Sequence, residues 1–159
     1  MSIPFPLPDE AILARRDEIL SGLAPLLPPE ALITSEDERR AFETDAFTAY
    51  RHIPLAVALP TSTEEVSAVL RYCHEQGVKV VARGAGTSLS GGAIPQPDAI
   101  VLGLSKLNRI LDVNFPNRTA RVQAGVTNLS ITESVSAEGF FYAPDPSSQL
   151  ACTCLLYTS

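Results

Sequence analysis

Short apolar runs alternate with segments of helical periodicity in the middle of the chain. Residues 53–59 form an apolar run that is typical of a buried strand, and Pro60 closes it. A helix is predicted next, because Ser62 can cap its start and Gly77 can end it in the left-handed conformation. One face of this helix is predicted to be apolar and comprises Val66, Val69, Leu70 and Cys73. Residues 78–82 then predict a second strand, which completes a strand-helix-strand unit.

The flanking segments predict helices on the amino side and a mixed segment on the carboxyl side. Asp9 can cap a first helix, and Ser35 with Glu38 is typical of a capping box that starts a short acidic helix through Ala41. The later patterns predict a third strand at 100–104, a hairpin from 110–113 and 119–123, and a helix from Thr127 to Glu138. We therefore expect an α+β fold of two small lobes, preceded by a helical extension at residues 1–50.

Length, charge and cysteine content narrow the classes of function. With 159 residues and 45% hydrophobic content, the chain can bury the core of one domain. The whole formal charge of −6 lies in the first 50 residues, so the neutral body argues against a nucleic-acid partner. Three cysteines without paired spacing favour a reducing compartment, and cytoplasm is the expectation. Nowhere do 18 apolar residues run together, so no membrane span or signal peptide is predicted.

The stretch with the clearest chemical meaning follows the second predicted strand. Residues 83–92, called the glycine loop here, read Arg-Gly-Ala-Gly-Thr-Ser-Leu-Ser-Gly-Gly. Four glycines and three hydroxyl side chains favour a backbone nest for an anion, and α/β proteins place ligands at such strand ends. Leu89 stands where a Rossmann fingerprint needs its third glycine, and a Walker lysine is absent. A plain surface turn, a noncatalytic module for phosphorylated metabolites and a phosphotransferase remain as alternatives.

Four stretches together identify a resemblance. They are Tyr50 with Pro54, residues 59–66, the glycine loop and residues 143–153. The chain resembles, from about Ser35 to Thr153, the FAD-linked oxidase family of the vanillyl-alcohol oxidase type, and its glycolate oxidase branch in particular. The resemblance implies a two-lobed FAD-binding domain at residues 51–153, incomplete in this chain, with FAD between the lobes.

The same resemblance implies the residues that contact the cofactor. Backbone N–H groups of the glycine loop would hold the FAD pyrophosphate, and a proline-Gly-Val segment of the family corresponds to Ala124, Gly125 and Val126 here. The loop has no histidine, so FAD is expected to be bound noncovalently. His52 and His74 are expected to be structural. The predicted cofactor-binding residues are Arg83, Gly84, Ala85, Gly86, Thr87, Ser88, Gly91, Gly92, Gly125, Pro144, Asp145, Ser147 and Ser148.

The implied activity is oxidation of a small 2-hydroxy acid, of the glycolate or D-lactate kind, with hydride transfer from the α-carbon to flavin N5. The family's base and any metal ligands lie in segments that this chain does not match, so no catalytic or metal-ligating residue is predicted. The resemblance also implies iron-sulfur and second flavin-type partner subunits, through which the enzyme would associate with a membrane.

The match ends at Thr153. Residues 154–159 have no family counterpart and resemble the translation of a transposase adaptor, so a non-native tail on a truncated gene is expected. A fragment of this kind is expected to be inactive and to retain FAD weakly.

Overall fold

The computed structural model describes residues 6–144 and 150–153, and a mixed sheet forms the centre of its first lobe. The strands of this sheet are, in chain order, β1 (Leu32–Ile33), β2 (Ala56–Ala58), β3 (Lys79–Arg83) and β4 (Ala99–Gly103). Their spatial order is β1-β2-β4-β3. β2, β4 and β3 run parallel, whereas β1 pairs antiparallel with β2. The predicted strand-helix-strand unit is therefore confirmed, with β4 lying between its two strands.

Four α-helices belong to this lobe: α1 (Glu10–Ala14), α2 (Arg16–Leu23), α3 (Glu36–Arg39) and α4 (Thr63–Gln76). The Asp9 side chain caps α1 by accepting a hydrogen bond from the Ala11 N–H. The single helix predicted after Asp9 is divided at Arg15, whose ψ of 12° leaves the helical range. At the predicted capping box, the Ser35 side chain accepts no capping hydrogen bond.

The ends of α4 follow the sequence prediction closely. The Ser62 hydroxyl accepts a hydrogen bond from the Glu65 N–H, and Gly77 ends the helix with a φ of +69°. The Glu65 carboxylate accepts from the Thr61 N–H at 2.7 Å, one residue before the position that a capping box would use. Leu70, which the spacing places on the apolar face, is 43% exposed. Val69 and Cys73 are fully buried, as predicted.

The hydrophobic core extends from the sheet into the amino-terminal helices. Ile19 and Leu23 of α2 are fully buried in the same cluster as Val69 of α4 and Ile100 of β4. The Asp9 N–H donates to the Asp98 carboxylate, and β1 belongs to the sheet. Residues 6–50, which the sequence predicts as a helical extension, thus share the sheet and core of the residues that follow. The apolar faces of the amino-terminal helices are removed from water only by packing against the sheet and α4.

The second lobe is a hairpin with one helix. Its elements are β5 (Ile110–Asn114), β6 (Thr119–Val122) and α5 (Asn128–Val135). β5 and β6 pair antiparallel, and a short 3-10 turn after α5 ends at Gly139 with a φ of +76°. The prediction of an α+β fold with two lobes is confirmed. In the described part of the chain, no helix is both long enough and apolar enough to cross a bilayer.

Candidate cofactor site

The glycine loop begins where two parallel strands end side by side. In the sheet register Arg83 of β3 lies opposite Gly103 of β4. The Leu104 N–H donates to the Arg83 carbonyl oxygen at 2.9 Å, so the segment after β4 starts against the loop. Because the carboxyl ends of parallel strands meet at one edge of a sheet, both segments lie at the edge where α/β proteins bind ligands.

A cavity of about 330 Å³ lies at this edge, between the two lobes. The first lobe contributes the glycine loop and the segment after β4, and the second contributes the start of α5. Among the described residues, no charged side chain lines it. The lining residues are Ala85, Ser105, Asn108, Gly125, Val126, Thr127, Ser130, Ala151 and Thr153. Hydroxyl and amide groups in such a wall can donate hydrogen bonds to an anion without a counter-charge.

Gly125 brings the second lobe against the end of β4. Its N–H donates to the Leu107 carbonyl oxygen at 2.8 Å. A Cβ at this position would lie 2.2 Å from the Leu104 carbonyl oxygen and 2.9 Å from that of Leu107. Both neighbours are backbone atoms that cannot move aside by a rotamer change. Glycine is therefore required here for close approach of two backbones.

The start of α5 forms the opposite wall of the cavity. The Thr127 hydroxyl accepts a hydrogen bond from the Ser130 N–H at 3.2 Å and lies 2.7 Å from the Ser130 hydroxyl. The Asn128 N–H donates to the Cys152 carbonyl oxygen at 3.0 Å, which ties residues 150–153 to the helix. The Asn128 side chain is 1% exposed, and its amide atoms have no partner among the described residues.

The backbone of the glycine loop offers donors without acceptors. Gly86 and Gly91 have φ values of +72° and +78°, which other residues adopt only with strain. Within the described part of the chain, no acceptor takes a hydrogen bond from the N–H groups at residues 84–88. Backbone donors free in this way bind phosphate oxygens well. The loop therefore fits the pyrophosphate group that the resemblance implies.

Arg83 is directed to the other side of the loop. Its guanidinium donates to the Thr44 carbonyl oxygen at 2.7 Å and lies 5.6 Å from the centroid of the Phe42 ring. Burial lowers the pKa of Arg83, and the Asp45 carboxylate opposes that effect. A Cβ on Gly86 would lie 2.3 Å from the guanidinium, so Arg83 passes directly behind this glycine.

The predicted site residues thus fall into four groups. Ala85 and Gly125 line the cavity, and Pro144 is half-buried near the end of the first described range. The remaining predicted loop residues, which lie in the glycine loop outside the cavity lining, are Arg83, Gly84, Gly86, Thr87, Ser88, Gly91 and Gly92. Asp145, Ser147 and Ser148 lie outside the described residues.

Several lining residues escaped sequence reasoning. Ser105 follows the end of β4, so the rule that places ligands at strand ends could have identified it. Thr127 was recognised only as a helix cap, although the residue that caps a helix also faces whatever binds there. Asn108 and Ser130 carry no local signal, whereas Thr153 lies in the stretch 143–153 that carries the family resemblance but was not among the predicted cofactor-binding residues. In the described residues, no group of three or more His, Cys, Asp or Glu side chains could hold a metal ion.

Comparison with known proteins agrees with this geometry. The FAD binding domain family matches residues 54–154. Over 138 residues the chain is 44% identical to the glycolate oxidase subunit GlcD of Escherichia coli strain K12, covering 87% of this chain and 28% of the relative. It is 35% identical over 133 residues to a D-lactate dehydrogenase of Archaeoglobus fulgidus, covering 83% and 28%. The chain therefore spans between a quarter and a third of the length of these relatives.

A solved structure gives the same result for the fold. A crystal structure of p-cresol methylhydroxylase with substrate bound superposes with a TM-score of 0.78 at 19% identity, covering 96% of this chain and 30% of that one. The similarity at this identity concerns the fold alone. The family match and the relatives confirm the resemblance to the FAD-linked oxidase family and the expectation of FAD as cofactor. The chain belongs to the FAD binding domain family.

Proposed function

We propose that this chain forms the part of a glycolate- or D-lactate-oxidising enzyme that holds the FAD pyrophosphate. The named relatives act on glycolate and D-lactate, which are small 2-hydroxy acids. The observation that carries the proposal is the pairing of unbonded N–H groups at residues 84–88 with a cavity lined by both lobes. A dinucleotide that lies between two lobes has its phosphates in the middle of its length, so hydrogen-bond donors to phosphate are needed there.

The roles of the residues follow from their positions. The N–H groups of the glycine loop would hold phosphate oxygens, with the Thr87 and Ser88 hydroxyls as further donors. Ser105, Thr127 and Ser130 would donate from the facing wall. When bound, FAD supplies the redox chemistry by accepting a hydride from the carbon that bears the substrate hydroxyl. This chain's own contribution is to bind and orient, and no described residue is assigned to the proton transfer.

The proposal includes noncovalent attachment of FAD. The loop contains no histidine or cysteine that could form a bond to the isoalloxazine ring. Among the described cysteines, Cys73 and Cys152 are both buried. Burial raises the pKa of the Cys73 thiol to about 11, which keeps it protonated and unreactive at neutral pH. Buried thiols also agree with an enzyme that works in the reducing cytoplasm.

The proposal further assigns partner subunits to the parent enzyme. The Escherichia coli relative is named as one subunit of glycolate oxidase. Iron-sulfur and second flavin-type subunits are the partners that family resemblance implies, and they would also provide any contact with the membrane.

A titration can test the assignment of FAD. The full chain should quench FAD fluorescence and bind FAD at least about tenfold more tightly than riboflavin, which corresponds to about 1.4 kcal/mol. Riboflavin has the same ring system but lacks the pyrophosphate and the adenosine, so the difference measures what this part of FAD contributes. Equal affinity for both flavins would contradict the proposal. Tight binding of a simple sugar phosphate, with no flavin binding, would favour a noncatalytic phosphometabolite module instead.

A chimera can test the proposed reaction. Residues 6–153 of this chain would replace the matching segment of the Escherichia coli relative, which shares 44% of its residues over the matched region. The purified chimera should contain FAD and oxidise glycolate or D-lactate, measured as flavin bleaching under anaerobic conditions. A chimera that contains FAD but is not reduced by any 2-hydroxy acid would refute the reaction while leaving the binding role intact.

A further inference from the structure

A short segment of the first lobe lies behind the glycine loop and contacts it at three points. This segment, residues 42–47, is called the brace here. At the start of the loop, Arg83 donates to the Thr44 carbonyl oxygen at 2.7 Å. In its middle, the Gly86 carbonyl oxygen accepts from the Ala46 N–H at 3.1 Å. Just past its end, the Ala93 N–H donates to the Asp45 carboxylate at 3.3 Å.

Asp45 is the central residue of the brace. Its side chain is 5% exposed, and one carboxylate oxygen accepts from the Phe47 N–H at 2.8 Å while the other accepts from Ala93. A buried carboxylate is costly unless backbone donors or a cation compensate it. Here two N–H groups compensate it, and the nearby Arg83 charge adds to them. The carboxylate therefore fixes the brace and the far end of the loop relative to each other.

We propose that Asp45 and Arg83 are positioning residues, which hold the glycine loop from the protein side so that its N–H groups point outward to phosphate. The proposal depends on the proposed function only for the identity of the ligand. The brace lies outside residues 54–154, the part that matches the family. Neither Asp45 nor Arg83 lines the cavity.

Positioning and electrostatics predict opposite changes in FAD affinity when the charge of Asp45 is removed. Asp45→Asn removes a negative charge close to a site for an anionic group, so a purely electrostatic effect would strengthen FAD binding. The amide can accept from only one of the two N–H groups and turns its own NH₂ toward the other. If Asp45 acts by positioning, the same substitution must weaken FAD binding.

The first experiment needs no ligand. Amide hydrogen exchange would be measured on the full chain for wild type, Asp45→Asn and Asp98→Asn. Asp98 is the matched control, because it is a second buried carboxylate, 1% exposed, just before the start of β4 at the opposite edge of the sheet. We expect about tenfold faster exchange in Asp45→Asn only, about 1.4 kcal/mol of local opening, at the hydrogen-bonded N–H groups of Ala46, Ser90 and Ile94. Equal acceleration in both variants would overturn the proposal.

Arg83→Met separates positioning from direct contact with phosphate. Methionine keeps an apolar chain over Phe42 but removes the hydrogen bond to the Thr44 carbonyl oxygen. A positioning residue changes exchange without ligand, so the N–H groups of Ala46, Ser90 and Ile94 should also exchange faster in Arg83→Met. Unchanged exchange in ligand-free Arg83→Met would mean that Arg83 does not position the loop.

The second experiment measures FAD and riboflavin affinity in Asp45→Asn. Positioning predicts about tenfold weaker FAD binding, with riboflavin affinity unchanged because riboflavin has no phosphate. Unchanged or tighter FAD binding would overturn the proposal. A wild-type chain that binds neither flavin would contradict the proposed function alone, because the exchange experiment still decides whether the brace holds the loop.

Discussion

The two lobes form opposite walls of one cavity but differ in how deeply their elements are buried. Every residue of β2 and β4 in the first lobe is buried, and helices cover this core. In the second lobe no residue of β5 or β6 is buried, and Leu111 of β5 is 48% exposed. The first lobe therefore carries most of the burial that stabilises the fold.

This difference assigns different tasks to the two walls. The glycine loop leaves the end of a buried sheet and is supported from behind by the brace, so its donors are fixed before a ligand arrives. Such preorganisation lowers the entropy that binding costs. The second lobe supplies hydroxyl groups from a helix that is held in place by Gly125 and by the bond to Cys152.

The largest expected effect compares the cores of the two lobes. Ile100 of β4 is fully buried, whereas Ile131 of α5 is 5% exposed in the thinner lobe. We expect Ile100→Ala to lower the free energy of unfolding by about 4 kcal/mol and Ile131→Ala by about 2 kcal/mol. The loss is smaller for Ile131 because the less buried second lobe can relax more easily into the space that the substitution leaves. Urea unfolding followed by circular dichroism measures both. Equal losses would mean that the lobes are equally well packed.

Gly125→Ala should separate the two walls. The new Cβ would meet two carbonyl oxygens of the segment after β4, so the backbone must shift. We expect a loss of about 2–3 kcal/mol in unfolding free energy and a clear loss of FAD affinity. Gly139→Ala is the control, because a Cβ there meets no atom within 4 Å and only the φ of +76° is strained. It should cost about 1 kcal/mol and leave FAD affinity unchanged.

The ion pair at the other end of the sheet predicts a pH dependence. Burial of Asp98 opposes its ionisation, but hydrogen bonds from Lys79 and the Asp9 N–H outweigh burial and lower its pKa. A lowered pKa in the folded state stabilises the fold above the unfolded pKa of about 3.9, and this contribution disappears as the pH falls through the folded value. Asp98→Asn should therefore cost about 1.5 kcal/mol at pH 6.

The difference between wild type and Asp98→Asn should begin to shrink below about pH 4 and approach zero only as the pH falls through the lowered pKa of the folded state, where the wild-type carboxyl becomes protonated as well. Urea unfolding at pH 6, 4 and 3 gives this comparison. A difference that stays constant over the whole range would show that the charge of Asp98 contributes nothing.

The smallest predicted effect concerns the cap of α5. Thr127→Ala removes the hydroxyl that accepts from the Ser130 N–H and should lower the unfolding free energy by about 1 kcal/mol. Thr127→Ser retains the hydroxyl and should restore nearly all of it. The same pair tests the second wall, because FAD affinity should fall in the alanine variant alone. Equal FAD affinity in both variants would mean that the Thr127 hydroxyl does not contribute to FAD binding.

Local patterns in the sequence predicted much of the fold. The cap at Ser62 and the stop at Gly77 lie within a few residues of the bonds they make, so α4 was readable from the chain alone. The brace was not. Asp45 and Ala93 are 48 residues apart, and their hydrogen bond leaves no periodic pattern. The exposure of Leu70 also depends on what packs against α4, which helical spacing does not reveal.

The most direct test of the central claim is an amide chemical-shift titration of the full chain with FAD. If the glycine loop holds the pyrophosphate, the largest shifts should appear at the N–H groups of residues 84–88, and ADP should reproduce them because it contains the same pyrophosphate. Smaller shifts are expected at Thr127 and Ser130. Binding of FAD that shifts other amides and leaves residues 84–88 unchanged would contradict the account.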